Sequence, residues 1–260
     1  MNIGSVLLIV CIIILLYIAV RYIVNDVNTL TGVTSATTMQ TIEASSLASD
    51  TTGTNQSNFA YSIWFNIDDW NYRYGEPKVI FGRMAAATAV ETGTATGVSG
   101  LDPCPLVALG PIQNNINISL AVFPGSDATD PTSDDIKTPT GAIIHTCNVS
   151  NIPIQKWVNL LISVYGRTLD VYIDGKLVKT CVLPGTAKIN QDANVYVTPK
   201  GGFAGWTAKF QYYPYAMDPQ GAWDIYKKGY GEGWLSSIFG KYQVKVSFLE
   251  NGTESNSFTI

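Results

Sequence analysis

Residues 157–184 read WVNLLISVYGRTLDVYIDGKLVKTCVLP, and no other run limits the fold as tightly. Val158, Leu160, Ile162 and Val164 alternate with Asn159, Leu161, Ser163 and Tyr165. That period of two belongs to a strand with one wholly apolar face. After a turn at Gly166-Arg167, Leu169, Val171 and Ile173 alternate with Asp170, Tyr172 and Asp174. Asp174-Gly175 suits a two-residue type I′ hairpin, because both central positions need positive φ. The turn predicts Val171 opposite Val178 as an apolar pair and Asp170 opposite Lys179 as an ion pair on a wetter face. In that register Cys181 falls opposite Thr168. The run therefore predicts a three-stranded antiparallel meander.

Further strands are predicted along the chain. Phe59, Tyr61, Ile63, Phe65 and Ile67 share one face of 59–67, and residues 39–47, 78–84, 105–110, 117–123, 142–149, 193–198 and 207–213 follow with similar patterns. Residues 85–100 (Ala/Thr/Gly-rich) and 125–140 (polar) read as exposed loops. A helix is predicted over 218–228, with Asp218 as N-cap and Pro219 at its first position. Only 14% of residues are charged while 11% are aromatic, with 23 Gly and 12 Pro, a balance that favours an all-β sandwich over a helical bundle.

The stretch L-D-V-Y-I-D-G-K-L-V over 169–178, preceded by a strand opening on Trp157, resembles the signature of laminin-G-like domains in the concanavalin A-like lectin/glucanase superfamily. The Trp64-Phe65 step, the strand at 78–84, the Gly201-Gly202-Phe203-Ala204-Gly205-Trp206 segment and the closing helix follow the family's order over residues 39–229. The resemblance implies an antiparallel jelly-roll sandwich. It also implies two activities to weigh, glycan binding and glycoside hydrolysis. Enzymes of this superfold use an E-x-D-x-x-E strand whose carboxylates project together. None of Glu43, Glu76, Glu91, Glu232, Glu250 and Glu254 has that neighbourhood, so a non-enzymatic role is expected.

Residues 3–20 carry no charge, and extended to Val24 they give about 33 Å of helix, enough to cross a bilayer. The segment lacks a basic n-region and an A-x-A-like cleavage site, which argues against a signal peptide. The organisation expected is a transmembrane anchor at 1–24, a tether at 25–38, the sandwich at 39–230, and an aromatic segment with a β-hairpin at 231–260. Arg21 favours a cytosolic sandwich by the positive-inside rule. Four N-x-[ST] sequons, at Asn55, Asn117, Asn148 and Asn251, favour the opposite side as glycosylation sites.

Asp127, Asp130, Asp134 and Asp135 cluster on one loop and form a candidate calcium site, with a solvated loop as the rival reading. His145, the one histidine, sits in an apolar strand with no G-x-S-x-G elbow and reads as structural. Among Cys104, Cys147 and Cys181, one disulfide and one free thiol are possible in any of three pairings. A net charge of −4 without a basic patch argues against nucleic acid. Trp234, Phe239, Val244, Val246 and Phe248 form a candidate protein-contact segment. The layout resembles membrane-anchored laminin-G-like proteins of large DNA viruses. That resemblance implies a minor capsid or virion membrane component between the internal membrane and the capsid. Its partners would be lipid, through residues 3–24, and capsid proteins. The alternative is a membrane-anchored lectin with glycan partners; a glycoside hydrolase is disfavoured.

Overall fold

The computed structural model describes residues 12–17, 28–47, 57–90, 97, 102–124, 136–231, 245–250 and 253–259. The chain forms two compact units, residues 28–227 and a second unit drawn from 1–27 and 228–260. The larger unit is a sandwich of two seven-stranded antiparallel sheets. One sheet holds β1 (Thr29–Thr31), β2 (Thr34–Ser35), β4 (Phe59–Asp69), β10 (Trp157–Tyr165), β11 (Thr168–Ile173), β12 (Lys176–Val182) and β14 (Ala204–Tyr213). Its order is β1-β14-β4-β10-β11-β12, with β2 also on β14. The other runs β3 (Gln40–Ile42), β13 (Val195–Val197), β5 (Lys78–Arg83), β6 (Leu106–Leu109), β7 (Asn115–Val122), β9 (Ile143–Ser150) and β8 (Ile136–Lys137).

The alternation along β4 explains the core. Phe59, Tyr61, Ile63, Phe65 and Ile67 point between the sheets and are buried there. Tyr61 lies within 4.9–5.8 Å, centroid to centroid, of Phe59, Phe81, Phe210 and Tyr212. Burial pushes its hydroxyl well above the usual tyrosine range. The opposite face of this sheet is also apolar at Ala60, Leu161, Tyr172 and Tyr213, and the Pro219–Lys228 helix covers it with Ala222 and Ile225. Asp218 caps that helix as expected, its Oδ1 accepting from Gly221 N at 2.7 Å. The second sheet has an apolar outer face too, at Val79, Met84, Leu106, Ala108 and Ile144, and Val90 packs on it. The segment 85–100, expected to be exposed, is thus drawn onto the sheet at Val90, because that face would otherwise leave hydrocarbon in water.

The meander forms, with one correction. Asp174 (φ +50°) and Gly175 (φ +72°) make the two-residue turn, pairing Ile173 with Lys176 and Tyr172 with Leu177. A β-bulge at Val178 then shifts the register by one, so Val171 faces Lys179, Asp170 faces Thr180 and Leu169 faces Cys181. A one-residue slip sends every later side chain to the other face. The expected Asp170–Lys179 ion pair is absent: Thr180 Oγ1 donates to Asp170 at 2.5 Å, and Lys179 Nζ donates to the Asn148 carbonyl at 2.7 Å. Cys181 turns inward and joins Cys147 on β9, linking the two sheets. Cys104 remains a buried thiol, pushed up to about 12 by burial and only partly offset by Arg83.

Two further expectations change. Part of the tether, Thr29–Thr31 and Thr34–Ser35, instead pairs with β14, because an uncovered β14 edge needs hydrogen-bond partners and threonine suits a half-exposed strand. Of residues 39–47 only Gln40–Ile42 is a strand, followed by a short 3-10 turn at Ala44–Ser46. Asp68 and Asp69 are the last residues of β4. In the second unit, residues 12–17 are helical and β15 (Lys245–Glu250) pairs with β16 (Thr253–Thr259). Among the described residues no helix is long and apolar enough to cross a membrane. The rest of the expected anchor lies outside them.

The disulfide closes 34 residues of chain, which stabilises by about 3–4 kcal/mol through the unfolded state. Cys181→Ser is expected to lower unfolding stability by about that amount, read from the urea midpoint. Reducing agent should reproduce the loss in the parent and leave the variant unchanged.

Candidate functional site

Strands β7 and β9 lie side by side in the second sheet, and their outward positions carry amides and hydroxyls. Asn115 faces Ser150, Asn117 faces Asn148, and Ser119 faces Thr146. The intervening Ile116, Ile118, Cys147 and Val149 fill the core, so the pleat leaves the polar set on the outside. Asn148 Nδ2 donates to Asn117 Oδ1 at 2.7 Å, which orients both amides. Ser119 and Thr146 hydroxyls meet at 2.9 Å in the next row.

The β6–β7 hairpin closes one end of this stripe. Its backbone is fixed from two sides: Gly75 N donates to the Pro111 carbonyl at 3.0 Å, and Asn114 Nδ2 donates to the Ile152 carbonyl at 2.7 Å. Between hairpin and stripe lies a cleft of about 380 Å³ lined by Pro111, Ile112, Gln113, Asn115, Asn117 and Asn148, a size that suits a small ligand. Four of the six lining residues are amides and none is charged. Asn115 Oδ1 is buried with no hydrogen-bond partner among the described residues. It lies against Gly110, where an added Cβ would stand 1.9 Å from it and 2.8 Å from the Gln113 carbonyl. The accessible lining is uncharged and mainly apolar, with the amides reaching it only in part, and so favours an uncharged ligand.

Asn117 and Asn148, singled out as sequons, are thus brought together as half of the cleft's amides. Asn117 is almost wholly buried there. Asn55, Asn251, the loop residues Asp127, Asp130, Asp134 and Asp135, and Trp234, Phe239 and Val244 lie outside the described residues. Among the described residues no group of three or more His, Cys, Asp or Glu could hold a metal ion. Val246 and Phe248 lie on β15, where Val246 pairs with Phe258 and Phe248 with Asn256. His145 sits on β9 opposite Leu120. Sequence reasoning passed over Gln113 and Asn115. The usable signal was the Asn, Asn, Ser series at 115, 117 and 119, which gives this strand an uncharged polar face.

No protein-family model and no curated protein matches this sequence. Solved structures do. The botulinum neurotoxin serotype D ligand binding domain in complex with N-acetylneuraminic acid matches with TM-score 0.50 at 11% identity, over 77% of this chain and 43% of that one. The botulinum neurotoxin DC binding domain in complex with SialylT matches at 0.43 and 14%, over 65% and 35%. The serotype G binding domain matches at 0.43 and 12%, over 65% and 36%. The chain therefore spans less than half the length of these structures. The match with the serotype D domain is one of fold alone: a two-sheet antiparallel sandwich.

Gly110→Ala is expected to destabilise the protein by about 1–3 kcal/mol, since the Gln113 carbonyl is backbone and cannot swing aside. The urea midpoint measures it; an unchanged midpoint would show that the hairpin does not close against Gly110.

Proposed function

We propose that the chain is a non-enzymatic, membrane-anchored binding module whose cleft takes a neutral glycan. The observation that carries this reading is the cleft wall, an uncharged and mainly apolar surface with four amides set in it. Sugar hydroxyls both donate and accept, and so do amides, so each can satisfy the other on leaving water. The sandwich fold supports a glycan-binding role, since a domain of similar fold was solved with N-acetylneuraminic acid; that sugar is acidic, and the neutral preference rests on the cleft wall. The Cys147–Cys181 bridge supports a sandwich on the oxidising side of a membrane, which agrees with the sequons more than with Arg21. Residues 3–24 would supply the anchor.

On a printed array of neutral glycans, the parent is expected to bind a defined subset. Asn148→Ala or Gln113→Ala should each weaken that binding about five- to tenfold, the equivalent of about 1 kcal/mol for one hydrogen bond. An array with no binding above background ends the reading.

A second reading rests on edge strand β12, where Leu177, Val178 and Val182 are 50%, 48% and 71% exposed. Lys176, Lys179 and the bulge guard that edge against unspecific pairing. Under this reading the protein is a minor capsid or virion membrane component of a large DNA virus. It would link the internal membrane to capsid proteins through this edge and the C-terminal hairpin. Deleting residues 244–260 should then release it from its assembly, and undiminished incorporation into particles counts against the idea.

A further inference from the structure

On the outer face of the other sheet, four residues form one lateral row. Ser35 on β2 faces Trp206 on β14, Trp206 faces Asn66 on β4, and Asn66 faces Trp157 on β10. Directly opposed residues share a face. That face is the outer one, because Phe65 and Ile67 on either side of Asn66 fill the core. In the neighbouring row Trp64 stacks under Tyr226 of the Pro219–Lys228 helix, with centroids 5.6 Å apart and planes 17° apart. The Asn66 row differs: Trp206 is 46% exposed and Trp157 is half-buried. The two indoles flank Asn66 from adjacent strands, so their backbones stand about 10 Å apart.

Two features show a built surface. Asn66 Oδ1 is buried and has no hydrogen-bond partner among the described residues, an unusual state for an amide oxygen in a folded chain. Gly205, next to Trp206, holds φ +151°, and a Cβ there would stand 1.9 Å from the Asn66 carbonyl. Only glycine lets β14 cross Asn66 this closely, and that crossing sets where the indole of Trp206 starts. The bulge at Ala204/Gly205 leaves Asp68, exposed and two residues along β4 on the same face, with no opposite residue on β14.

We propose that this row is a second binding site, a platform for one neutral hexopyranose ring. The ring's C–H face would lie on the Trp206 indole, whose π face carries negative charge that attracts polarised C–H groups. Its hydroxyls donate to the exposed Asp68 carboxylate and to Asn66 Oδ1, which is buried and accepts once the amide turns outward. Both are acceptors and one is an anion, so the site selects hydroxyl donors and disfavours acidic sugars. The site lies on the opposite sheet from the amide cleft and does not depend on it.

The test uses the full-length chain in detergent, with the methyl glycosides of glucose, galactose and mannose as probes and N-acetylneuraminic acid as the acidic comparison. At least one methyl hexoside is expected to bind saturably in a calorimetric titration, a signal that does not depend on Trp206 as reporter. Trp206→Ala and Asn66→Leu should each weaken that binding at least tenfold, and Trp206→Tyr should retain most of it. Trp206 is exposed, so its replacement should keep the parent's thermal midpoint. The proposal is overturned if no hexoside binds, if Trp206→Ala binds like the parent, or if the acidic sugar binds more tightly. Loss in Gln113→Ala with none in Trp206→Ala would support the cleft and sink the platform.

Discussion

Strand β4 is buried on both faces for most of its length, and every other layer is placed by the need to cover it. Tyr61, Ile63 and Phe65 demand a second sheet, which supplies Phe81 among others; Ala60 and Trp64 on the reverse side demand the C-terminal helix. The second sheet repeats the problem with Leu106, Ala108 and Ile144, and solves it with Val90 rather than a helix. An open sandwich of this kind thus has little bare sheet left. Among the described residues, polar outer positions lie where the coverings stop, at the Asn117–Asn148 stripe on one side and the Asn66 row on the other. Both spots carry amides, and the Asn66 row has the exposed Asp68 carboxylate beside it.

Much of this was legible in the sequence where the signal was local. Period-two alternation located β4, β10 and β11, and Asp174-Gly175 located their hairpin neighbour because the turn chemistry is contained in two residues. The bulge was not legible. Val178 is β-branched and apolar, so it reads as an ordinary strand position, and only packing between the sheets decides that it is the extra residue. The error then spread: with the register off by one, Cys181 seemed to face Thr168 and its pairing with Cys147 could not be chosen.

The binding surfaces were legible only in fragments. Asn117 and Asn148 drew notice as sequons, a local motif, yet their meeting depends on β7 and β9 pairing across 31 residues. Trp206 was noticed as the end of a glycine-aromatic step, but nothing local says that Asn66 and Trp157 flank it. Residues from three separate strands have to be registered before the row exists. Polar Thr29 and Thr34 misled in the opposite direction, since low hydrophobicity reads as a linker although an open sheet edge needs only backbone partners.

The bulge at Val178 has a consequence for how the chain reaches one structure. The Asp174-Gly175 turn is compatible with two pairings of β12, bulged and unbulged, and both satisfy the backbone. Only the bulged pairing brings Cys181 within bonding distance of Cys147. Oxidation therefore acts as a covalent check on strand alignment, converting a one-residue choice into a permanent one. It also ties the exposed edge strand to the opposite sheet, so β12 cannot be peeled off and lent to a neighbouring molecule while the bridge holds.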